Sequence, residues 1–260
     1  MISNQSQILN SKRVVVKVGS SSITGANAGN LDLIVDLASK LKSHGVEVLV
    51  VSSGAIATAS PLIGLTVKSE DLATSQALAA IGQAILMSKY ESSFKRHKLI
   101  PAQILLTVDN LDTAETSENA FRAIERLIEI NVVPVINEND TVATHEIRFG
   151  DNDQLAARVA KLAKADLLIL LSDVDALYTK PPTEEGAERI ERISYGQDLS
   201  EIQISGTSTG YGTGGALTKL AAAQLATEAG IPVMLTATKN VPTLLEQSVP
   251  HTWFEPKSGE

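Results

Sequence analysis

Uninterrupted runs of β-branched and leucine residues recur along this chain, each separated from the next by a stretch with helical spacing. RVVVKV (Arg13–Val18), VEVLVV (46–51), PAQILL (Pro101–Leu106), VVPVI (132–136) and DLLILL (166–171) read as strands, and 232–235 opens another. Such runs lack the apolar/polar alternation of a half-exposed strand. They match strands of a parallel sheet covered on both faces. Between them, residues 31, 34, 35, 38 and 41 are apolar at helical spacing, and Gly45 stops that helix. Further helices are expected over 72–90, 120–130, 152–163 and the Ala-rich 218–229. Strand and helix alternate throughout, which predicts an α/β fold: a three-layer α/β/α sandwich with a mostly parallel central sheet. Residues 180–208 break the pattern and read as a β-hairpin or lid. No Pro/Gly/Ser linker marks a boundary, so residues 1–260 are expected to form a single domain.

Composition narrows the function classes. Of 260 residues, 43% are hydrophobic, enough for a sizeable core. Lys plus Arg is 22 against 30 for Asp plus Glu, a net charge of -8, which argues against nucleic acid as a partner. The chain has no cysteine, so disulfides, thiolate nucleophiles and cysteine-ligated metals are excluded. Residues 1–13 are polar and lack a signal-peptide core, and no apolar run could span a bilayer. A cytoplasmic protein without a membrane partner is expected.

In parallel α/β folds ligands bind at the carboxyl ends of the strands. Four such ends carry small, glycine-containing or acidic residues. In VVVKVGSSS, Lys17 lies in an apolar strand before Gly19 and three serines. It is either a strand-end lysine reaching solvent or a cation beside a phosphate turn. In VVSSGAIA, Gly54 permits either a tight strand-to-helix turn or close approach of a ligand to the backbone and the next helix. VINENDTVATHEIRFGDNDQ gathers Glu138, Asp140, Asp151, Asp153, Asn137, Asn139 and Asn152. Asp151 and Gln154 fit a helix-capping box, but capping uses only one or two of these residues. The surplus suits an ammonium group or Mg2+-ATP. In STGYGTGGALTK, Gly210, Gly212 and Gly215 match G-x-G-x-x-G, yet no strand precedes them, and no Walker A motif is present. The remaining reading is a glycine loop that offers N–H groups to phosphates, with Lys219 as a mobile cation. His44 and His97 lie near helix ends and read as solvated, while His145 falls in the acidic loop. No histidine pair has metal-ligand spacing.

Taken in order, VVVKVGSS, VVSSGAIA, VPVINENDTVAT, GDNDQLAA, LLILLSDVDALYT and YGTGGALTK resemble the glutamate 5-kinases of the amino acid kinase family. The resemblance implies ATP-dependent phosphorylation of the glutamate side-chain carboxylate. It places Lys17 and Lys219 beside the transferring phosphoryl group, with Asp153 holding them. It assigns Ser53, Gly54, Ala55, Asn137, Asp140 and Asn152 to glutamate. It assigns Lys17, Gly19, Ser172, Asp173, Thr213, Gly214, Gly215, Ala216, Leu217, Thr218 and Lys219 to ATP. Mg2+ would bridge the phosphates without a metal site of the protein's own. Proline would act as feedback inhibitor, a glutamyl phosphate reductase would take the product, and a homodimer or homotetramer is implied. The chain departs from the pattern at Ala57-Thr58-Ala59, where Ala-Ala-Gly is common, and at Ala216-Leu217, where Met-Ser is common. It is also expected to lack the C-terminal PUA domain of many members.

Overall fold

The computed structural model describes residues 4–65, 71–107, 111–142, 152–180, 184–199 and 215–258. One eight-stranded sheet organises the molecule. Its strands are β1 (Arg13–Val18), β2 (Glu47–Ser52), β3 (Pro101–Leu106), β4 (Val133–Glu138), β5 (Leu167–Ser172), β8 (Arg192–Ile193), β9 (Val233–Ala237) and β10 (His251–Phe254), in the order β3-β4-β2-β1-β5-β9-β10-β8. The six strands from β3 to β9 in that order are mutually parallel. β10 runs antiparallel to β9, and β8 pairs parallel to β10. β6 (Leu177–Tyr178) and β7 (Arg189–Ile190) form a separate antiparallel pair.

The helices are α1 (Asn4–Asn10), α2 (Asn30–Ser43), α3 (Ala55–Ile63), α4 (Leu72–Lys95), α5 (Ala114–Glu129), α6 (Asn152–Leu162) and α7 (Ala216–Glu228). Two apolar layers cover the two faces of the sheet, as a three-layer sandwich requires. Alternation along β1 sends Val14, Val16 and Val18 into one layer, with α2 residues Ile34, Val35 and Ala38 and α4 residues Tyr90 and Phe94. Val15 enters the other layer, with Leu168 and Leu170 of β5 and the alanines of α6 and α7. Lys17, two residues on from Val15, therefore falls on the α6/α7 side.

Several expectations change. The polar N-terminus forms α1, whose Ile8 is fully buried in the core. The pattern 120–130 belongs to a longer helix, α5, which begins at Ala114; its first turns are polar and so carry no apolar spacing. The irregular region yields the β6–β7 pairing, Leu177 with Ile190 and Tyr178 with Arg189, so the hairpin opens before residue 180. β8, just after it, leaves the hairpin and joins the main sheet. Residues 181–183 and 200–208 of that region lie outside the described residues. β10 is too short, and too mixed in polarity (HTWF), to announce itself in sequence.

Candidate active site

β1 has β2 on one side and β5 on the other, so the chain reverses its direction of travel across the sheet at β1. At such a switch point the loops after neighbouring strands splay to opposite faces and leave a crevice. Lys17 and Ser52 lie at the carboxyl ends of β1 and β2, and Ser172 at that of β5.

Asp153, in the first turn of α6, is the centre of the charged cluster. Its Oδ1 pairs with Lys17 Nζ, and its Oδ2 lies 3.3 Å from Lys219 Nζ. The Thr218 hydroxyl lies 3.0 Å from Oδ2 and 2.9 Å from the Gly215 carbonyl. Lys17, Asp153 and Lys219 are 4%, 1% and 6% exposed, far drier than ordinary ion pairs. The route from sequence to this geometry is legible. Ala156, Ala157 and Ala160 of α6 are fully buried with Ala222, Ala223 and Ala226 of α7 in one core layer. Small side chains let the helices approach closely, which brings their first turns, and so Asp153 and Lys219, together. Burial opposes the charge of Asp153, but Lys17, Lys219 and the Thr218 hydroxyl outweigh it and hold its carboxyl below the ordinary range. Burial, with the charge of Lys17, pushes Lys219 down, while Asp153 and Asp173 pull it back up. The result is two ammonium groups pinned on one carboxylate.

A second, uncharged cluster lies beside it. Asn152 Nδ2 faces three acceptors: the Ser52 carbonyl at 3.1 Å, Ser53 Oγ at 2.9 Å and Asn137 Oδ1 at 2.8 Å. Its own Oδ1 is buried and accepts no hydrogen bond among the described residues. Gly54 caps α3 with φ 105, a left-handed conformation, and a Cβ there would lie 3.3 Å from Thr24 Cγ2. Both facts favour glycine and let the Ser53-Gly54-Ala55 backbone turn tightly. Asp140 opens a 3-10 turn (Asp140–Val142) just beyond β4. Burial, and then the charge of Glu138, push its carboxyl up to about 7.

The structure thus joins Lys17, Asp153 and Lys219 in one group, and Ser53, Asn137 and Asn152 in another, with Gly54 and Ala55 continuing from Ser53. Ser172 Oγ lies 3.0 Å from the exposed Asp173 carboxylate. Gly19 adjoins Lys17, with Nζ 3.7 Å from the position a Gly19 Cβ would take. Ala216 and the exposed Leu217 stand at the start of α7. Asp151, His145, Gly210, Gly212, Thr213 and Gly214 lie outside the described residues. His44 is exposed, whereas His97 is half-buried, with Nε2 2.6 Å from Asp36 Oδ1. Among the described residues no three His, Asp or Glu side chains converge as a protein metal cage would require. No helix among them is long and apolar enough to cross a membrane.

Sequence reasoning missed the contribution of α4. A Cβ on Gly82 would fall 1.8 Å from the Ala55 carbonyl oxygen, so α4 meets the start of α3 backbone to backbone. The Tyr90 hydroxyl donates to Ser52 Oγ at 2.9 Å, and Gln83 Oε1 accepts from Asn137 Nδ2 at 2.7 Å. A lone glycine inside a helical pattern was the available signal for Gly82. Nothing in the sequence marked Gln83.

The sequence model of the amino acid kinase family matches residues 12–237, which span both clusters. The chain belongs to the amino acid kinase family. A glutamate 5-kinase of Clavibacter michiganensis is 54% identical to this kinase over 250 residues, covering 96% of each chain. A glutamate 5-kinase of Leifsonia xyli is 52% identical over 256 residues, covering 98% of this chain and 95% of its own. Carbamate kinase from Giardia lamblia, solved with AMP-PNP, superposes with a TM-score of 0.67 over 96% of this chain and 100% of its own. At 14% identity that likeness speaks for the fold of this kinase and not for its substrate.

Proposed function

We propose that this chain transfers the γ-phosphoryl group of ATP to the side-chain carboxylate of L-glutamate, giving L-glutamyl 5-phosphate. The observation that carries the reading is the buried Lys17–Asp153–Lys219 group at the switch point of the sheet. The attacking carboxylate has a reference pKa of about 4.3 and is ionised at neutral pH, so no general base is needed. The obstacle is an anion approaching a polyanion. Catalysis of such a transfer is mostly in-line positioning and neutralisation of charge. Lys17 and Lys219 supply two cations at one place, and Asp153 holds both ammonium groups there. Mg2+ enters with ATP, on the phosphate oxygens, as part of the co-substrate.

In this reading Ser53, Gly54, Ala55, Asn137, Asp140 and Asn152 form the glutamate pocket. The raised pKa of Asp140 supports its place there, since a carboxylate short of counter-charge gains most from an ammonium ligand. Gly19, Ser172, Asp173 and residues 213–219 take ATP. Supporting this, Lys219 stands in the first turn of α7, where free backbone N–H groups favour phosphate. We read residues 1–260 as one amino acid kinase domain, because a single sheet draws strands from both halves of the chain. The reading extends to a cytoplasmic enzyme, a homodimer or homotetramer, that begins a route to proline and is inhibited by it. Its acyl phosphate product is prone to hydrolysis, which suits direct consumption by a reductase.

Hydroxylamine traps acyl phosphates as hydroxamates. The test is hydroxamate formation from Mg2+-ATP with glutamate, aspartate or N-acetylglutamate, with and without proline. Glutamate should be the preferred acid, and proline should reduce its turnover. No hydroxamate from glutamate, or a clear preference for another acid, would remove the reading.

A further inference from the structure

We propose that Gln83 of α4 is a positioning residue for the substrate's ammonium group, acting through Asn137 and Asn152; this rests on the glutamate reading above. A side-chain amide has a donor end and an acceptor end, and its sense is fixed only by neighbours of fixed polarity. Two such neighbours are present. The Glu138 backbone N–H can only donate, and it lies 2.9 Å from Asn137 Oδ1. The Ser52 carbonyl can only accept, and it lies 3.1 Å from Asn152 Nδ2.

From these two anchors the whole row of amides follows. Asn137 must turn its Nδ2 to Gln83, 2.7 Å away, so the facing atom of Gln83 is its Oε1. Gln83 Nε2 is then left to donate to Gln103 Oε1, 3.1 Å away on β3. On the other side, Asn137 Oδ1 receives Asn152 Nδ2 at 2.8 Å. Each amide donates to the next from Asn152 to Gln103, and the acceptor left over is Asn152 Oδ1. Asn152 is 3% exposed, and that oxygen has no donor among the described residues. A buried acceptor without a donor is costly, so it favours a ligand that brings one. The ammonium of an amino acid is such a donor, while carboxylates are not. Asp140 would provide charge for the same ammonium, and Asn152 Oδ1 direction.

Gln83 is the member of the row that no fixed-polarity group replaces. Without it Asn137 Nδ2 loses its acceptor, Asn137 can tilt, and Asn152 loses the partner that aims its oxygen. The plainer alternative is that Gln83 only satisfies a buried asparagine and supports the fold. The two differ in selectivity. Aim at the ammonium matters for glutamate and not for glutarate, which has both carboxylates and no amino group.

The experiment compares Gln83→Leu with the unaltered full chain in the hydroxamate assay, using glutarate as competitor. We expect the KM for glutamate to rise about tenfold, the scale of one hydrogen-bond partner lost to the buried Asn137. The KM for ATP and the inhibition constant of glutarate should stay within about twofold, and circular dichroism should show a folded protein. An unchanged glutamate KM, parallel weakening of glutamate and glutarate, or an unfolded variant would overturn the proposal without bearing on the glutamate reading itself. If the unaltered chain itself made no hydroxamate from glutamate, the underlying reading would fall, and the proposal with it.

Discussion

Lys219 is buried and Asp140 half-buried, and the two stand in opposite electrostatic situations. Lys219 shares Asp153 with Lys17, so two cations lean on one anion and retain charge to offer a phosphoryl group. Lys219→Ala should therefore lower kcat about 100-fold or more, the scale of one lost transition-state contact. Steady-state rates with saturating glutamate and ATP would measure this, and a near-normal kcat would take Lys219 out of the mechanism. Asp140 has Glu138 for a neighbour and a carboxyl pushed up to about 7. Only its ionised form attracts an ammonium, so the KM for glutamate should climb as pH falls through 7 and level off above about 8. In Asp140→Asn that pH dependence should vanish, with a glutamate KM near the unaltered chain's low-pH value at every pH, and so raised only above about 7, and an ATP KM little changed. The stability effect has the opposite sign. A carboxyl with a folded-state pKa above its unfolded value stabilises the fold while protonated and loses that contribution as pH rises towards 7. Asp140→Asn should thus melt higher than the unaltered chain above pH 7 without ligand, which calorimetry can check.

Among the elements, α4 makes a contribution that its own sequence barely advertises. It packs on α3 through Gly82, on the sheet through Tyr90, and on the amide row through Gln83. The Gly82 contact is the tightest, because the neighbour is backbone and cannot rotate away. Gly82→Ala would force α4 and α3 apart near Ala55, at the mouth of the proposed glutamate pocket. We expect a stability loss of about 1–3 kcal/mol in urea unfolding, as for overpacking, together with a raised glutamate KM. Unchanged stability would mean that the two helices part freely. The Ala-rich faces of α6 and α7 show the same principle with a different result: small residues there permit the approach that lets Asp153 reach Lys219.

Across the whole molecule, the two ends of the sheet are specialised. The carboxyl ends hold the proposed chemistry, and the amino ends hold a structural clamp. Arg13, at the start of β1, is 7% exposed and binds Glu47 of β2 at 2.7 Å, Glu125 of α5 at 2.5 Å and the Ala163 carbonyl. Its backbone N–H donates to Asp166 at 2.7 Å. Burial works against the guanidinium, yet Glu125 and Glu47 more than restore its charge. Arg13→Ala would strand two carboxylates beside a lost cation. It should cost about 3 kcal/mol, the lower range for breaking a buried pair because both glutamates are partly exposed. Since the clamp lies at the opposite strand ends from Lys17, KM values measured well below the melting temperature should be unchanged.

Much of this was legible in the sequence. Continuous apolar runs located the strands, helical spacing located most of the helices, and polar residues after the strands located the crevice, because burial on both faces and the geometry of strand ends leave direct marks on residue type. VINEND, GDND and GTGGALTK also carried the family. What sequence could not show depends on distance in space. The joining of Lys17, Asp153 and Lys219 is a product of strand order and helix approach, neither of which is written at any one position. The burial of Ile8 in α1 and the antiparallel β10 arise from docking that overrides weak local pattern. The amide row from Asn152 to Gln103 spans residues far apart in the chain, and its polarity is set by two backbone groups, so only the tertiary structure decides which oxygen is left without a donor.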